Sequence, residues 1–314
     1  MNKTLAFIFP LALALLLAGF IPAKKETSRV GVDERLQLTL YQVDSAHELQ
    51  KVFDDIGYHW PPQVDGLIPA IEIASFPPDL AQLESVKQKK ALFFGALLPI
   101  VLAENESLLD LRIHLKRLLD KGYSRLNDGE RRWVDVIAKR YRVRGSIEEG
   151  KVQRSLLARI DMIPAALILA QAANESAWGT SRFAQQGNNL FGQWTFNQSE
   201  GIVPLGRPEG ETYAVRAFSS LDASVRAYLH NLNTNAAYAE LRKLRRGMRD
   251  SGQALDAHVL ATGLQAYSER GDAYIEEIQA MMRVNKLIHL LHSVALDRNA
   301  KKLSSLLPVV STAG

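Results

Sequence analysis

The fold turns on Ile163-Pro-Ala-Ala-Leu-Ile-Leu-Ala-Gln-Ala-Ala-Asn-Glu-Ser-Ala-Trp-Gly-Thr-Ser181, followed closely by Gln186-Gly-Asn-Asn-Leu-Phe-Gly-Gln-Trp-Thr195. Pro164 suits the first turn of a helix, where a missing N–H costs nothing, and Gly179 suits a position just past its end. The residues between are apolar nearly all round, which predicts a helix buried in the middle of a helical domain. On that helix Glu175 shares a face with Ile168, Gln171 and Ala172. Burial disfavours a charged carboxylate, and the last turn of a helix presents the negative end of the dipole, so both effects raise its pKa. A carboxylic acid held protonated near neutral pH is what a general acid for glycosidic cleavage requires. A capping Glu, or one paired with a core Arg, would fit the same position.

Working outward, 314 residues with 47% hydrophobic content are enough for one large or two medium domains and exclude a wholly disordered chain. A net charge of +4 is too weak to point to nucleic acid, and no such partner is expected, but it is compatible with an anionic polymer or a membrane surface. The chain has no Cys, which removes disulfide and thiolate chemistry and leaves the redox compartment open. Residues 1–23 place Lys3 ahead of a mostly apolar run that ends in Ile-Pro-Ala. This predicts a signal peptide or an uncleaved N-terminal anchor, because such a run is near the minimum length for crossing a bilayer. Either way the body is expected outside the cytoplasmic membrane.

A polar tether is expected next, then a helix over 47–54 and an irregular stretch broken by Pro61, Pro62, Pro69, Pro77 and Pro78. Helical spacing returns over 79–120, with Pro99 as a kink or break, a second amphipathic helix over 106–119, and a stop at Lys121-Gly122. Asn127 or Asp128 caps a helix over 129–142. Its arginines, with Arg144 beyond them, suit a solvated, salt-bridged face or contact with phosphate or an anionic wall polymer. Residues 201–210 and 211–218 read as two short strands around a Pro-Glu-Gly turn, the only convincing β in the chain. Helices over 222–233, 238–245, 253–264 and 273–292 complete the pattern, with a frayed tail after them.

Around Glu175, Trp178, Phe191 and Trp194 offer flat apolar faces, and Asn174, Asn188, Asn189, Gln193 and Thr195 offer uncharged donors and acceptors. Sugars are bound by this mixture, although Trp178 and Phe191 also suit a core and Asn188-Asn189 suits a turn. His289 and His292 share a helical face without carboxylate or Cys partners, and no phosphate-loop or zinc-protease motif is present, so no metal or cofactor is expected.

Ala-Gln-Ala-Ala-Asn-Glu-Ser-Ala-Trp-Gly-Thr-Ser, followed by Asn-Asn-Leu-Phe-Gly, closely resembles the peptidoglycan β-N-acetylglucosaminidases of glycoside hydrolase family 73, and more narrowly the Bax-like proteins of Gram-negative bacteria. Two later segments agree: Phe218-Ser-Ser-Leu-Asp-Ala-Ser-Val-Arg-Ala-Tyr228 and Gly263-Leu-Gln-Ala-Tyr-Ser-Glu-Arg-Gly-Asp-Ala-Tyr274. The resemblance covers about residues 155–290. It implies a mainly α, lysozyme-like helical domain with a small β-hairpin lobe, preceded by an N-terminal helical region. The domain organisation expected is 1–23 signal or anchor, 24–150 helical region of unassigned role, 151–296 catalytic domain and 297–314 tail.

Peptidoglycan glycan strands are the implied partner and the periplasm the implied location, with membrane attachment through the N-terminal segment if it is uncleaved. Matching positions make Glu175 the general acid and Tyr267 the active-site tyrosine facing the sugar's acetamide. They also place Asn189 and Phe191 near the cleft and Tyr228 beneath it. The family often has a second carboxylate in the β-lobe, where Glu200, Glu209 and Glu211 all lie; the longer lobe of the family aligns poorly with this short one, and Glu209, then Glu211, is favoured, with the substrate's acetamide as the alternative nucleophile. A muramidase or lytic transglycosylase, or a wall-binding protein with a degenerate site, are the competing readings.

Overall fold

In this computed structural model, residues 38–63 and 66–297 are described. The expected signal or anchor, most of the tether and the tail beyond Asp297 lie outside them. Strand β1 (Thr39–Tyr41) leads to helix α1 (Ala46–Asp55), whose N-cap Ser45 accepts from the Glu48 N–H. Strands β2 (Leu67–Ile68) and β3 (Ile71–Ile73) follow, and β1 pairs with β3 in parallel, Thr39 opposite Ile71.

Helix α2 (Val86–Lys121) is the spine of the fold. It runs through Pro99, correcting the expected break there. Every residue from Leu92 to Val101 is buried, so packing on all sides compensates for the hydrogen bond that Pro99 cannot make. By length and composition α2 could cross a membrane, but 72% of its apolar window is buried inside the protein, as in a core helix. It stops at Gly122, whose φ of 89° ends the turn.

Helices α3 (Asp128–Arg140), with an Asn127/Glu130 capping box, and α4 (Gly150–Arg159) lead into α5 (Ala165–Glu175). Eight successive residues of α5, Ala166 to Ala173, are buried. A short α6 (Arg182–Gly187) comes next. The β-lobe contains the expected antiparallel pair, β5 (Gly201–Ile202) and β6 (Ala214–Arg216), and adds a third strand, β4 (Trp194–Thr195), antiparallel to β6 on its other side. Two-residue strands are too short to show a period-two pattern, which is why β4 escapes a sequence reading.

Helices α7 (Leu221–Thr234), α8 (Ala239–Asp250), α9 (Ala257–Ala261), α10 (Asp272–Val284) and α11 (Leu287–Leu291) complete the helical body. The expected last helix is two, split at Lys286 in a left-handed conformation. Strand β7 (Ala295–Leu296) then pairs in parallel with β2, so the lobe is not the only β structure.

The described N-terminal elements share a core with those that follow. Helix α2 packs on both α5 and α7. Buried Asn105 on α2 donates to the Ile163 carbonyl at 2.7 Å and accepts from its N–H at 3.2 Å, fixing the entry to α5. Glu104 on α2 pairs with Arg226 on α7 at 3.1 Å.

Candidate active site

Glu175 is the last residue of α5. Alanines dominate the helix, because they lose no side-chain entropy and let neighbours approach closely. Ser176 closes the end, donating to the Ala172 carbonyl at 2.6 Å and accepting from the Gly179 N–H at 2.8 Å. Three left-handed residues, Ala177, Trp178 and Gly179, then turn the chain at φ 50°, 60° and 77°. Only glycine fits at 179, since a Cβ there would stand 2.7 Å from Cδ2 of Phe76.

A directed chain of hydrogen bonds ends at the carboxyl group. Tyr228 Oη donates to Oε1 of the fully buried Gln171, and Gln171 Nε2 donates to Tyr274 Oη at 2.8 Å. Tyr274 in turn hydrogen-bonds Glu175, as does Asn174. Four tyrosines thus surround the acid. Tyr274 lies parallel to Tyr267 at 5.5 Å, Tyr267 lies 5.9 Å from Tyr238, and Tyr228 stacks on Phe191 at 3.9 Å. Burial holds all four phenols above their ordinary pKa, with the Glu175 charge adding to it.

Burial is also the main cause that raises the Glu175 pKa. The bonds from Tyr274 and Asn174 and the charge of Arg270 pull it partly back, while Glu277 pushes it up. Arg270 is itself tied to Glu277 at 2.5 Å. Gly192, at φ 65°, borders the carboxyl: a Cβ there would lie 3.9 Å from Glu175 Oε2.

Of the residues singled out from sequence, Tyr267 stands with Glu175 and donates from its hydroxyl to the Phe191 carbonyl at 2.9 Å. Asn189 and Phe191 prove to be framework. The Asn189 amide donates to the carbonyls of Gln193 and Arg216 at 2.8 Å each and accepts from the N–H groups of Phe191 and Gln193, leaving nothing for a ligand. Phe191 is 3% exposed against Tyr228. Gln193 keeps one acceptor, Oε1, without a partner.

Trp194 on β4 is 58% exposed, edge-on to Tyr213. Trp178 packs against Phe93 and Phe94 of α2 with Lys90 over its ring at 4.6 Å, so its aromatic faces serve the core junction. Glu209 and Glu211 are exposed in the loop over 203–213. Among the described residues no three His, Asp or Glu side chains group as metal ligands.

Sequence reasoning missed Tyr274 and Tyr238 as neighbours of the acid. Gln171 was the available signal, a polar residue one turn before Glu175 in an otherwise apolar helix that needs buried partners.

The glucosaminidase family model, described as mannosyl-glycoprotein endo-beta-N-acetylglucosaminidase, matches residues 153–287. Protein bax of Escherichia coli (strain K12) is 33% identical over 217 residues, 68% of this chain and 76% of that protein. No solved structure matches.

Proposed function

Because the chain belongs to the glucosaminidase family and is a glycoside hydrolase of the endo-β-N-acetylglucosaminidase type with a glycan substrate, we propose that it cleaves peptidoglycan at the β-1,4 bond after N-acetylglucosamine. The supporting observation is the setting of Glu175: a carboxyl at the end of a buried helix, its pKa raised by burial and its orientation held by Tyr274 and Asn174. In this reading Glu175 protonates the leaving oxygen while positive charge develops at the anomeric carbon. The Tyr267 hydroxyl already donates to Phe191, so its oxygen is left to accept from the substrate's acetamide N–H.

Water is activated by Glu209 or, second, by Glu211; without either, the acetamide itself closes on the anomeric carbon. The half-buried side chain of Gln193 and the exposed ring of Trp194 bind sugar. Residues 151–296 carry the catalysis, and the shared core supports residues 38–63 and 66–150 as an integral part of the same body. Residues 1–23 act as an export signal or membrane anchor that delivers it to the periplasm, with 297–314 as a tail.

Glu175→Gln keeps the size of the side chain but has no acidic proton. It is expected to lower release of reducing ends from purified cell wall by a factor on the order of 10³ or more. Near-parental activity in a variant with an unchanged melting midpoint would sink the assignment. Mass spectrometry of the fragments tests the bond: reducing-end N-acetylglucosamine is expected, and reducing-end or anhydro muramic acid would mean a muramidase or lytic transglycosylase.

A further inference from the structure

Two open cavities, of about 770 and 390 Å³, lie where the end of α3, α4 and α8 meet, and they share Arg159 as a wall. Their linings carry nine Lys and Arg side chains against a single carboxylate, Asp135. Some of that charge is spent locally. Lys151 pairs with Glu149 at 2.8 Å and Lys243 with Glu240 at 3.2 Å, while Arg159 and Arg242 donate to backbone carbonyls. Lys139, Arg142, Arg144, Arg154 and Arg246 remain, all exposed and, among the described residues, with no acidic partner within salt-bridge distance.

These cations act on one another. After burial, Arg142 is the next cause lowering the pKa of both Arg159 and His230, and Arg159 is the next cause for Arg242, which falls to about 10. Arg142 also holds φ 56° just past the end of α3, where glycine would fit without steric cost. Strain kept at an arginine on a cavity wall marks a place where the side chain is wanted. Arginines outnumber lysines in the two linings, and their planar fork suits bidentate binding of carboxylate or phosphate.

The shape favours an extended polymer over a lipid surface. The groups are set in concavities, and of the large exposed apolar residues only Val136 lies on α3, α4 or the first part of α8. A membrane-seated face would need more apolar side chains to insert. The face also runs toward the acid. Ala236 lines the larger cavity and belongs to the turn Ala236–Tyr238, whose Tyr238 stands among the tyrosines around Glu175.

We infer that this basic face is a second binding surface for the polymer, holding carboxylates that project from a strand engaged elsewhere along its length. The inference rests on peptidoglycan, whose peptide stems carry carboxylates, as the substrate.

The test measures binding of the full chain to purified sacculi, to the same sacculi with their carboxylates amidated, and to anionic phospholipid vesicles. The variants are K139Q/R144Q, R154Q/R246Q and the four combined, all at exposed positions, with the melting midpoint as the control for folding. Each pair can stand in if the other perturbs the fold. The combined variant is expected to bind intact sacculi on the order of tenfold more weakly, with each pair giving part of the loss.

Amidation should weaken the parent equally and the variant no further, and added salt should erase the difference. Unchanged sacculus binding by the combined variant would overturn the inference, as would an equal loss on amidated sacculi. A loss confined to vesicles would overturn it too, assigning the face to lipid phosphates. Binding that follows the charges while the parent leaves the sacculi uncut would sink the substrate reading and leave this surface standing.

Discussion

Glu175 and two carboxylates of the β-lobe, Glu209 and Glu211, sit in contrasting settings. Glu175 ends a helix with eight consecutive buried residues, and the groups around it are tied into one hydrogen-bonded chain. Glu209 and Glu211 stand in solvent on the loop over 203–213, beside the exposed side chain of Leu205. In the proposed mechanism the two settings match two tasks. An acid must hold its proton before the substrate arrives, which takes buried, preordered neighbours. A base must be ionised to take a proton from water, and solvent favours the charged form.

The largest effect is expected where the acid's setting is taken apart. A chain beginning at Gly150 loses α2 and with it Leu92, Phe93, Phe94, Leu97, Leu98, Ile100 and Val101, all at most 1% exposed. At about 1.5–3 kcal/mol for each buried apolar side chain, that loss is as large as the whole of the roughly 5–15 kcal/mol by which a domain is stable. The truncated chain should be insoluble or melt without a cooperative transition. A soluble, active fragment would break the comparison, because the acid would then owe nothing to α2. Shortening the loop over 203–213 should by contrast leave the melting midpoint within a few degrees.

Next in size is the choice between the lobe carboxylates. If Glu209 activates water, Glu209→Gln should lower turnover on the order of 10²-fold, and Glu211→Gln should change it little. The reverse pattern transfers the role to Glu211. Parental activity in both, together with retained activity in the double variant, would point to the substrate's acetamide and sharpen the contrast, leaving the lobe only to bind.

The helical wall was legible in sequence because its signals are local. Pro164, the alanines and Glu175 lie within one window, and the period of the helix puts Gln171 on the face of the acid. The cap of α3, Asn127 of the pair Asn127-Asp128, was readable for the same reason. The continuity of α2 through Pro99 was not legible, because it depends on packing from elements distant in sequence. The tyrosine ring was half legible: Tyr267 came with its motif, but Tyr274 reaches Glu175 only through the packing of α10 on α5. Asn189 is the opposite case, since its amide in a sugar-like motif is engaged by its own loop and by the Arg216 carbonyl of β6.

Tyr274→Phe should have a smaller effect with a definite sign. It removes one of the bonds that lower the Glu175 pKa, so that pKa rises further. The alkaline limb of kcat/KM, which requires protonated Glu175, should move to higher pH, and turnover should fall about tenfold as the carboxyl loses its orientation. The Gln171 amide also loses its acceptor, at a cost of about 1–3 kcal/mol in stability. A limb that stays in place or moves to lower pH would show that Tyr274 does not set the acid.

The smallest effect on activity belongs to Glu104, which separates a raised pKa from a catalytic one. Burial, then the Asp222 charge, push its pKa up to about 7, with Arg226 pulling it back; Glu72, also raised, faces the same Asp222 together with Ser220. A carboxyl whose folded pKa lies above its unfolded value contributes stability that is fully present below the unfolded value and is lost as pH rises through the folded one. The window for Glu104 therefore runs from the ordinary carboxylate range near pH 4.5 up to about pH 7. Glu104→Gln, which can still accept from Arg226, should flatten the fall in stability across that window by on the order of 1–3 kcal/mol. It should leave the alkaline limb of the rate profile where it was. If that limb moved as it does for Tyr274→Phe, the environment of Glu175 would extend through α2 to Glu104, and a raised pKa at a helix junction could no longer be read as separate from the chemistry.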